Sequence, residues 1–164
     1  MSAETNKNAT ITVITFSIGP QKLAIPATDL REIMDPLPMT RVPGAGKFAP
    51  WVLNVRGQVL PLADLRLPLG ITDKGPADRP EDARRFLVLE LLLAGEPATV
   101  AIMSDIVHEV AMIPKSSIEP LPSNSMWPAD FVTGLFKGDD ESFVLMPDLS
   151  TICTAMAQRA AAAA

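Results

Sequence analysis

The 164-residue sequence is poor in the side chains that most often carry out chemistry. It has one cysteine, one histidine and no tyrosine, and aromatic residues make up 5% of the chain. A single cysteine excludes an intramolecular disulfide and fits a reducing compartment. A metal site needs several converging N, S or O ligands, and the sequence places none at ligand spacing around His108 or Cys153. We therefore expect a structural or surface histidine, a small buried hydrophobe at Cys153, and no catalytic residue, metal or cofactor.

Basic charge and long hydrophobic runs are also scarce. The chain has 14 Lys and Arg against 19 Asp and Glu, a formal net charge of −5. An acidic chain repels a phosphate backbone, which argues against nucleic-acid binding. The longest apolar run, Phe86 to Ala94, contains Glu90 and is far shorter than the ~20 residues that cross a bilayer. Since Met1 to Thr10 also lacks a signal-peptide pattern, the sequence predicts a soluble cytoplasmic protein without membrane insertion.

Two short stretches resemble ligand sites only at first sight. Gly44 to Lys47 has the wrong spacing for a phosphate loop, and Phe48 stands where that loop needs a hydroxyl. Asp139 to Glu141 lacks the alternating acidic register of a calcium loop. We interpret the first as a turn and the second as the tip of a hairpin.

Proline is abundant, with 16 residues spread along the chain. Such a distribution is typical of many short elements and turns and not of long helices. Residues 14–18 alternate between apolar and polar, as expected of a strand with one buried face. Near the C-terminus the spacing becomes helical, with Asp148 as a candidate cap before Leu149, Ile152 and Met156. The pattern predicts nine or ten short strands followed by one helix, arranged as small β-barrels or a sandwich.

Asn54-Val55-Arg56-Gly57 combines polar and conformationally special residues between two apolar stretches. Arginine presents a rigid fork of donors and is enriched at protein–protein hot spots. Glycine permits a positive φ or the close approach of another backbone. The segment is either a polar turn beside a barrel strand or a contact site for a partner.

These residues resemble a family signature. Asn54 to Gly57 followed by Val59 to Arg66 is similar to the turn and strand of CheW-type coupling proteins, where Asn-Leu-Arg-Gly precedes a strand ending in Asp-Leu-Arg. Leu30 to Ile33 and Val144 to Leu149 also stand in the expected order. The resemblance extends from about Ile11 to about Met156.

The resemblance implies a mainly β fold of two five-stranded SH3-like β-barrels packed side by side, with a C-terminal helix against one of them. It also implies a CheW-like domain over residues 10–158. The polar composition of residues 1–9 predicts a disordered tail before it, and residues 159–164 form an Ala-rich tail after it. The implied function is a non-catalytic adaptor without a cofactor. Its expected partners are the regulatory domain of a CheA-type histidine kinase and the cytoplasmic tip of a chemoreceptor.

The same resemblance implies which residues would contact the receptor. Arg56 is the first candidate, with Asn54 and Gly57 shaping its turn; Glu32 is the second, and Leu30 would add an apolar contact.

One departure from the family pattern is Trp51, which stands where the family usually has a glycine and could reshape the receptor groove. This departure leaves open a scaffold of a related chemosensory system, for pilus motility or gene control. A separate and less favoured alternative is a β-barrel protein that binds a small ligand.

Overall fold

The computed structural model describes residues 9–72, 75, 80–123 and 129–163. The predicted tail 1–9 lies outside them except for Ala9, and so does Ala164. Within these ranges the chain forms eleven strands and two α-helices. In chain order they are β1 (Thr10–Ile18), β2 (Gln21–Pro26), β3 (Leu30–Met34), β4 (Thr40–Arg41), β5 (Trp51–Val55), β6 (Gln58–Ala63), α1 (Arg66–Leu69), β7 (Arg85–Leu93), β8 (Glu96–Ser104), β9 (Ile106–Pro114), β10 (Val132–Lys137), β11 (Phe143–Pro147) and α2 (Leu149–Ala163).

The strands form two sheets that share one continuous path of chain. The first sheet has the order β10-β11-β2-β1-β9, and the second has the order β3-β7-β8-β6-β5-β4. The chain begins in the first sheet, builds the whole second sheet and then returns to complete the first. This arrangement confirms the predicted mainly β fold of two barrels with a C-terminal helix. The second sheet contains one strand more than the five expected, the two-residue β4.

Three apolar clusters explain why the two barrels lie side by side. One fills the first barrel and includes Val13, Phe136 and Val144. Another fills the second barrel and includes Phe86 and Val88. The third and largest, called here the shared core, combines residues of both sheets with α2, among them Phe16, Leu23, Leu87, Leu89 and Ile152. Because successive side chains of a strand point to opposite faces, β7 contributes alternately to the second barrel and to the shared core.

Helix α2 begins as the sequence predicts. Asp148 Oδ1 accepts a hydrogen bond from the Thr151 N–H at 3.1 Å, and Oδ2 accepts one from the Thr151 hydroxyl at 2.8 Å. This contact satisfies an N–H that the first turn leaves without a helical partner. The helix then buries Leu149, Ile152 and Cys153 in the shared core, which confirms the expectation for the cysteine. Its backbone continues through Ala163.

An ion pair joins the two sheets where the chain crosses between them. Arg66, which opens α1 after β6, donates from Nη2 to Asp105 Oδ2 at 2.6 Å. Asp105 lies between β8 and β9, and the same oxygen accepts the Gly19 N–H from the β1–β2 turn at 2.6 Å. The side chains are 29% and 12% exposed. Loss of the guanidinium would leave a largely buried carboxylate without its counter-charge, which is costly.

We predict that Arg66→Leu lowers the free energy of unfolding by about 1–3 kcal/mol, since it removes the charged partner of Asp105. Urea denaturation measures the change. Arg84→Leu is the matched control, because Arg84 is exposed and such surface changes stay within about 0.5 kcal/mol. Equal stabilities of the two variants would contradict a stabilising role for the junction.

A second prediction concerns alkaline pH. Burial raises the pKa of the Cys153 thiol from 9.0 to about 11. The unfolded chain therefore loses this proton at a lower pH than the folded protein does, so stability falls as pH rises from 9 to 11. Two pKa units correspond to about 2–3 kcal/mol.

Urea denaturation at pH 8, 9, 10 and 11 tests this dependence, and the absence of tyrosine removes one competing titration. Cys153→Ala should lose less stability across the same window, whatever its stability at pH 8. Parallel pH profiles for the two proteins would contradict the assignment to Cys153.

Candidate partner-binding site

The turn between β5 and β6 holds Arg56 in an unusual backbone conformation. Arg56 and Gly57 are the two central residues of the hairpin, with φ of +51° and +83°, and Val55 and Gln58 pair on either side. Two positive φ values are the mark of a type I′ turn, whose twist matches that of the flanking strands. A left-handed conformation costs a residue with a side chain roughly 1–2 kcal/mol. Asn54 supports the turn, since its Oδ1 accepts the Gly57 N–H at 2.9 Å.

Glu32 reaches this turn because of a β-bulge in β3. Leu30 pairs with Leu89 and Glu32 with Val88, so Arg31 is the extra residue on the β3 side. Directly opposed residues of paired strands share a sheet face. Glu32 therefore lies on the same sheet face as Val88, which fills the second barrel. The Glu32 side chain is 21% exposed and lies at the barrel rim beside Arg56.

Curvature of the second sheet brings Glu32 and Arg56 together. Strands β3 and β5 stand four places apart in the strand order, which would separate them by about 19 Å in a flat sheet. The carboxylate and guanidinium nevertheless form two parallel hydrogen bonds, Nη1 to Oε1 at 2.6 Å and Nη2 to Oε2 at 2.9 Å. This bidentate pair, called here the rim pair, spans the end of the second barrel.

The rim pair shifts the acid–base equilibria of both partners. The hydrogen bonds from Arg56 are the largest effect and lower the pKa of the Glu32 carboxyl; burial opposes them, and the charges of Arg56 and then Arg31 add smaller lowering effects. The hydrogen bonds from Glu32 raise the pKa of Arg56. Both side chains are therefore charged at neutral pH. Arg56 is 71% exposed, so its guanidinium is accessible although it is paired.

Further residues around the rim pair were not singled out from the sequence. Arg31 donates from Nη1 to Gln58 Oε1 at 3.3 Å, which links the bulge to the first residue of β6. Val59, the next residue, is 65% exposed and pairs across the hairpin with Asn54. In the sequence, these residues are marked only by lying close to Glu32 and Gly57. The contact between Arg31 and Gln58 depends on the curvature of the sheet.

Leu30 and Trp51 lie apart from the rim pair. The bulge turns Leu30 to the opposite sheet face, where it is half-buried against the shared core. Trp51 is also half-buried and packs against the cluster inside the second barrel. Of the five candidate residues, the structure thus brings together Asn54, Arg56, Gly57 and Glu32, and it separates Leu30 from them.

Few other side chains in the described part of the chain are placed where they could bind a metal or take part in catalysis. His108 is exposed, and its Nε2 lies 2.7 Å from the hydroxyl oxygen of the buried Ser17. In residues 9–72, 75, 80–123 and 129–163, no three His, Cys, Asp or Glu side chains cluster as metal ligands would. Over the same residues no helix has the length and apolar character needed to cross a bilayer.

Comparison with known proteins decides the family. The CheW-like domain matches residues 12–156 of the chain. The chain belongs to the CheW-like domain family. This membership confirms the expected non-catalytic coupling adaptor of chemotaxis.

Individual CheW proteins resemble the chain over most of its length. The chemotaxis protein CheW of Helicobacter pylori is 27% identical over 145 residues, which cover 88% of this chain and 83% of that protein. A probable chemotaxis protein CheW of Rhizobium etli is 28% identical over 113 residues, covering 69% and 68%. The crystal structure of the scaffolding protein TtCheW from Thermoanaerobacter tengcongensis superposes with a TM-score of 0.73 at 26% identity, covering 86% of each chain.

The rim pair of this CheW-like protein leads to a prediction about the pKa of Glu32. Arg56→Met should raise that pKa toward its ordinary value of 4.5, because Arg56 is the main cause of its depression. NMR titration of the side-chain carboxyl carbon measures the pKa. Arg31→Met is the matched control and should raise it less, since Arg31 contributes the smallest of the lowering effects.

The direction of this shift also fixes the pH dependence of stability. A carboxyl whose pKa is lower in the folded protein than in the unfolded chain stabilises the folded protein at pH values above the unfolded-chain pKa. This contribution is lost as the pH falls through the pKa of the folded protein. Acid denaturation of Arg56→Met should therefore show a weaker dependence on pH below 4.5. An unchanged Glu32 pKa in Arg56→Met would contradict the rim pair in solution.

Proposed function

We propose that this protein couples the cytoplasmic tip of a chemoreceptor to the regulatory domain of a CheA-type histidine kinase in the cytoplasm, with Arg56 and Glu32 at the receptor contact. Membership of the CheW-like family supports an adaptor over an enzyme. The names of the curated relatives favour chemotaxis over pilus motility or gene control. The observation that carries the proposed site is the rim pair itself.

The hydrogen-bonding capacity of Arg56 supports a contact with a helical tip. A guanidinium has five N–H donors, and Glu32 accepts two of them. The remaining three can reach a partner because the side chain is 71% exposed. The end of a helix presents up to four carbonyl groups without intrahelical partners. The turn of a helical hairpin therefore offers acceptors that match the free donors of Arg56.

The fixed position of Arg56 also favours recognition. The type I′ turn restricts the backbone, and the two bonds to Glu32 restrict the side chain. A side chain that is already ordered loses less entropy on binding. Asn54 and Gly57 act through this turn, and the exposed Val59 adds apolar surface beside it.

The proposal predicts a specific response to reversing the rim pair. Arg56→Glu alone places two carboxylates together and should weaken binding to a soluble fragment of the receptor tip by about tenfold or more, as expected for a hot spot. The double variant Glu32→Arg/Arg56→Glu restores an ion pair with the charges exchanged. It should recover thermal stability but not receptor affinity, because the donors now stand at position 32.

Isothermal titration calorimetry with the receptor-tip fragment and with the CheA regulatory domain measures both affinities. Lys22→Glu is the matched control, since Lys22 forms an exposed ion pair with Asp140 on the first sheet; it should leave receptor affinity within about twofold. Full recovery of receptor binding by the exchanged pair would show that the rim pair has only a structural role, which would overturn the proposed site.

A further inference from the structure

A half-open cavity of about 550 Å³ lies between α2 and the loop that precedes β5. Its walls include Phe48 of the loop, Ala63 of β6, Val100 of β8, and Cys153 and Met156 of α2. Small-ligand sites usually measure about 300–1,000 Å³ and are lined mainly by apolar groups. The cavity thus has the size and the lining of a site for a small apolar molecule.

The wall formed by the loop is held by the backbone. The Val42 N–H donates to Pro50 O at 2.8 Å, which closes the loop at its base. The Asp64 N–H donates to Phe48 O at 2.8 Å, which ties the loop to the end of β6. Phe48 is half-buried against the shared core. The cavity is therefore bounded on both sides by anchored elements.

Lys47 is the one charged residue among the described residues that line the cavity. It lies on the exposed loop, at the solvent side, while Cys153 and Met156 are buried in the shared core. An apolar lining with one exposed lysine at its edge matches a molecule that has an apolar chain and an anionic head.

We propose that this cavity binds a medium-chain fatty acid, with the alkyl chain against α2 and the carboxylate beside Lys47. The site is distinct from the rim pair, because Pro61 and Ala63 line the cavity while Arg56 and Gly57 precede the opposite end of β6. Failure of this proposal would therefore leave the receptor contact untouched, and receptor binding can be measured without any fatty acid.

Calorimetric titration of the full chain with decanoate, and with the uncharged decanol, tests both parts of the proposal. Decanoate should bind saturably below its micellar concentration. Lys47→Glu should weaken decanoate binding about threefold or more and leave decanol within about twofold. Lys115→Glu is the charge control, since Lys115 is exposed and lies outside the cavity lining.

A bulky substitution tests the location. Ala157→Trp introduces an indole at the exposed edge of the lining and should weaken both ligands at least tenfold. Gln158→Trp is the matched control, because the next residue of α2 lines a separate surface depression.

Non-saturable uptake of decanoate, or Ala157→Trp binding as tightly as Gln158→Trp, would overturn the cavity as the site. Equal effects of Lys47→Glu on decanoate and decanol would overturn the role of the carboxylate.

Discussion

Burial of β7 on both faces is the constraint on which the rest of the structure depends. Phe86 and Val88 fill the second barrel, while Leu87 and Leu89 enter the shared core with residues of the first sheet and α2. A strand of this kind cannot slip by one residue without exchanging the two sets of side chains. Its register therefore fixes the position of β3, which pairs along one edge, and of β8, which pairs along the other.

Register alone does not bring the candidate site together; curvature and a bulge are also needed. Without the extra residue at Arg31, Leu30 and Glu32 would share a face, as residues two apart in a regular strand do. The bulge lets Leu30 remain in the shared core while Glu32 reaches the barrel rim. One irregularity thus serves both packing and the site, in keeping with the frequency of bulges near functional sites.

The parts of this protein that could be predicted from sequence are those determined locally. The Asp148 cap, the helical spacing after it and a polar turn at Arg56-Gly57 each depend on a few consecutive residues. The two-barrel arrangement and the candidate positions came from the resemblance to the family. Contacts between distant segments could not be predicted: Arg66 and Asp105 are 39 residues apart, and the cavity beside α2 combines four separate segments. The placement of Leu30 and Glu32 on opposite sheet faces could not be predicted either, because nothing in the sequence marks Arg31 as a bulge residue.

The rim pair supports an arginine in the left-handed position of an exposed turn. That conformation costs roughly 1–2 kcal/mol, and a glycine or asparagine would avoid most of the strain. Asn54 and Glu32 offset it through one hydrogen bond to the turn backbone and two to the guanidinium. A lysine could form the charge contact but not the planar two-point one. The two hydrogen bonds to Glu32 fix the direction in which the remaining donors of Arg56 face solvent.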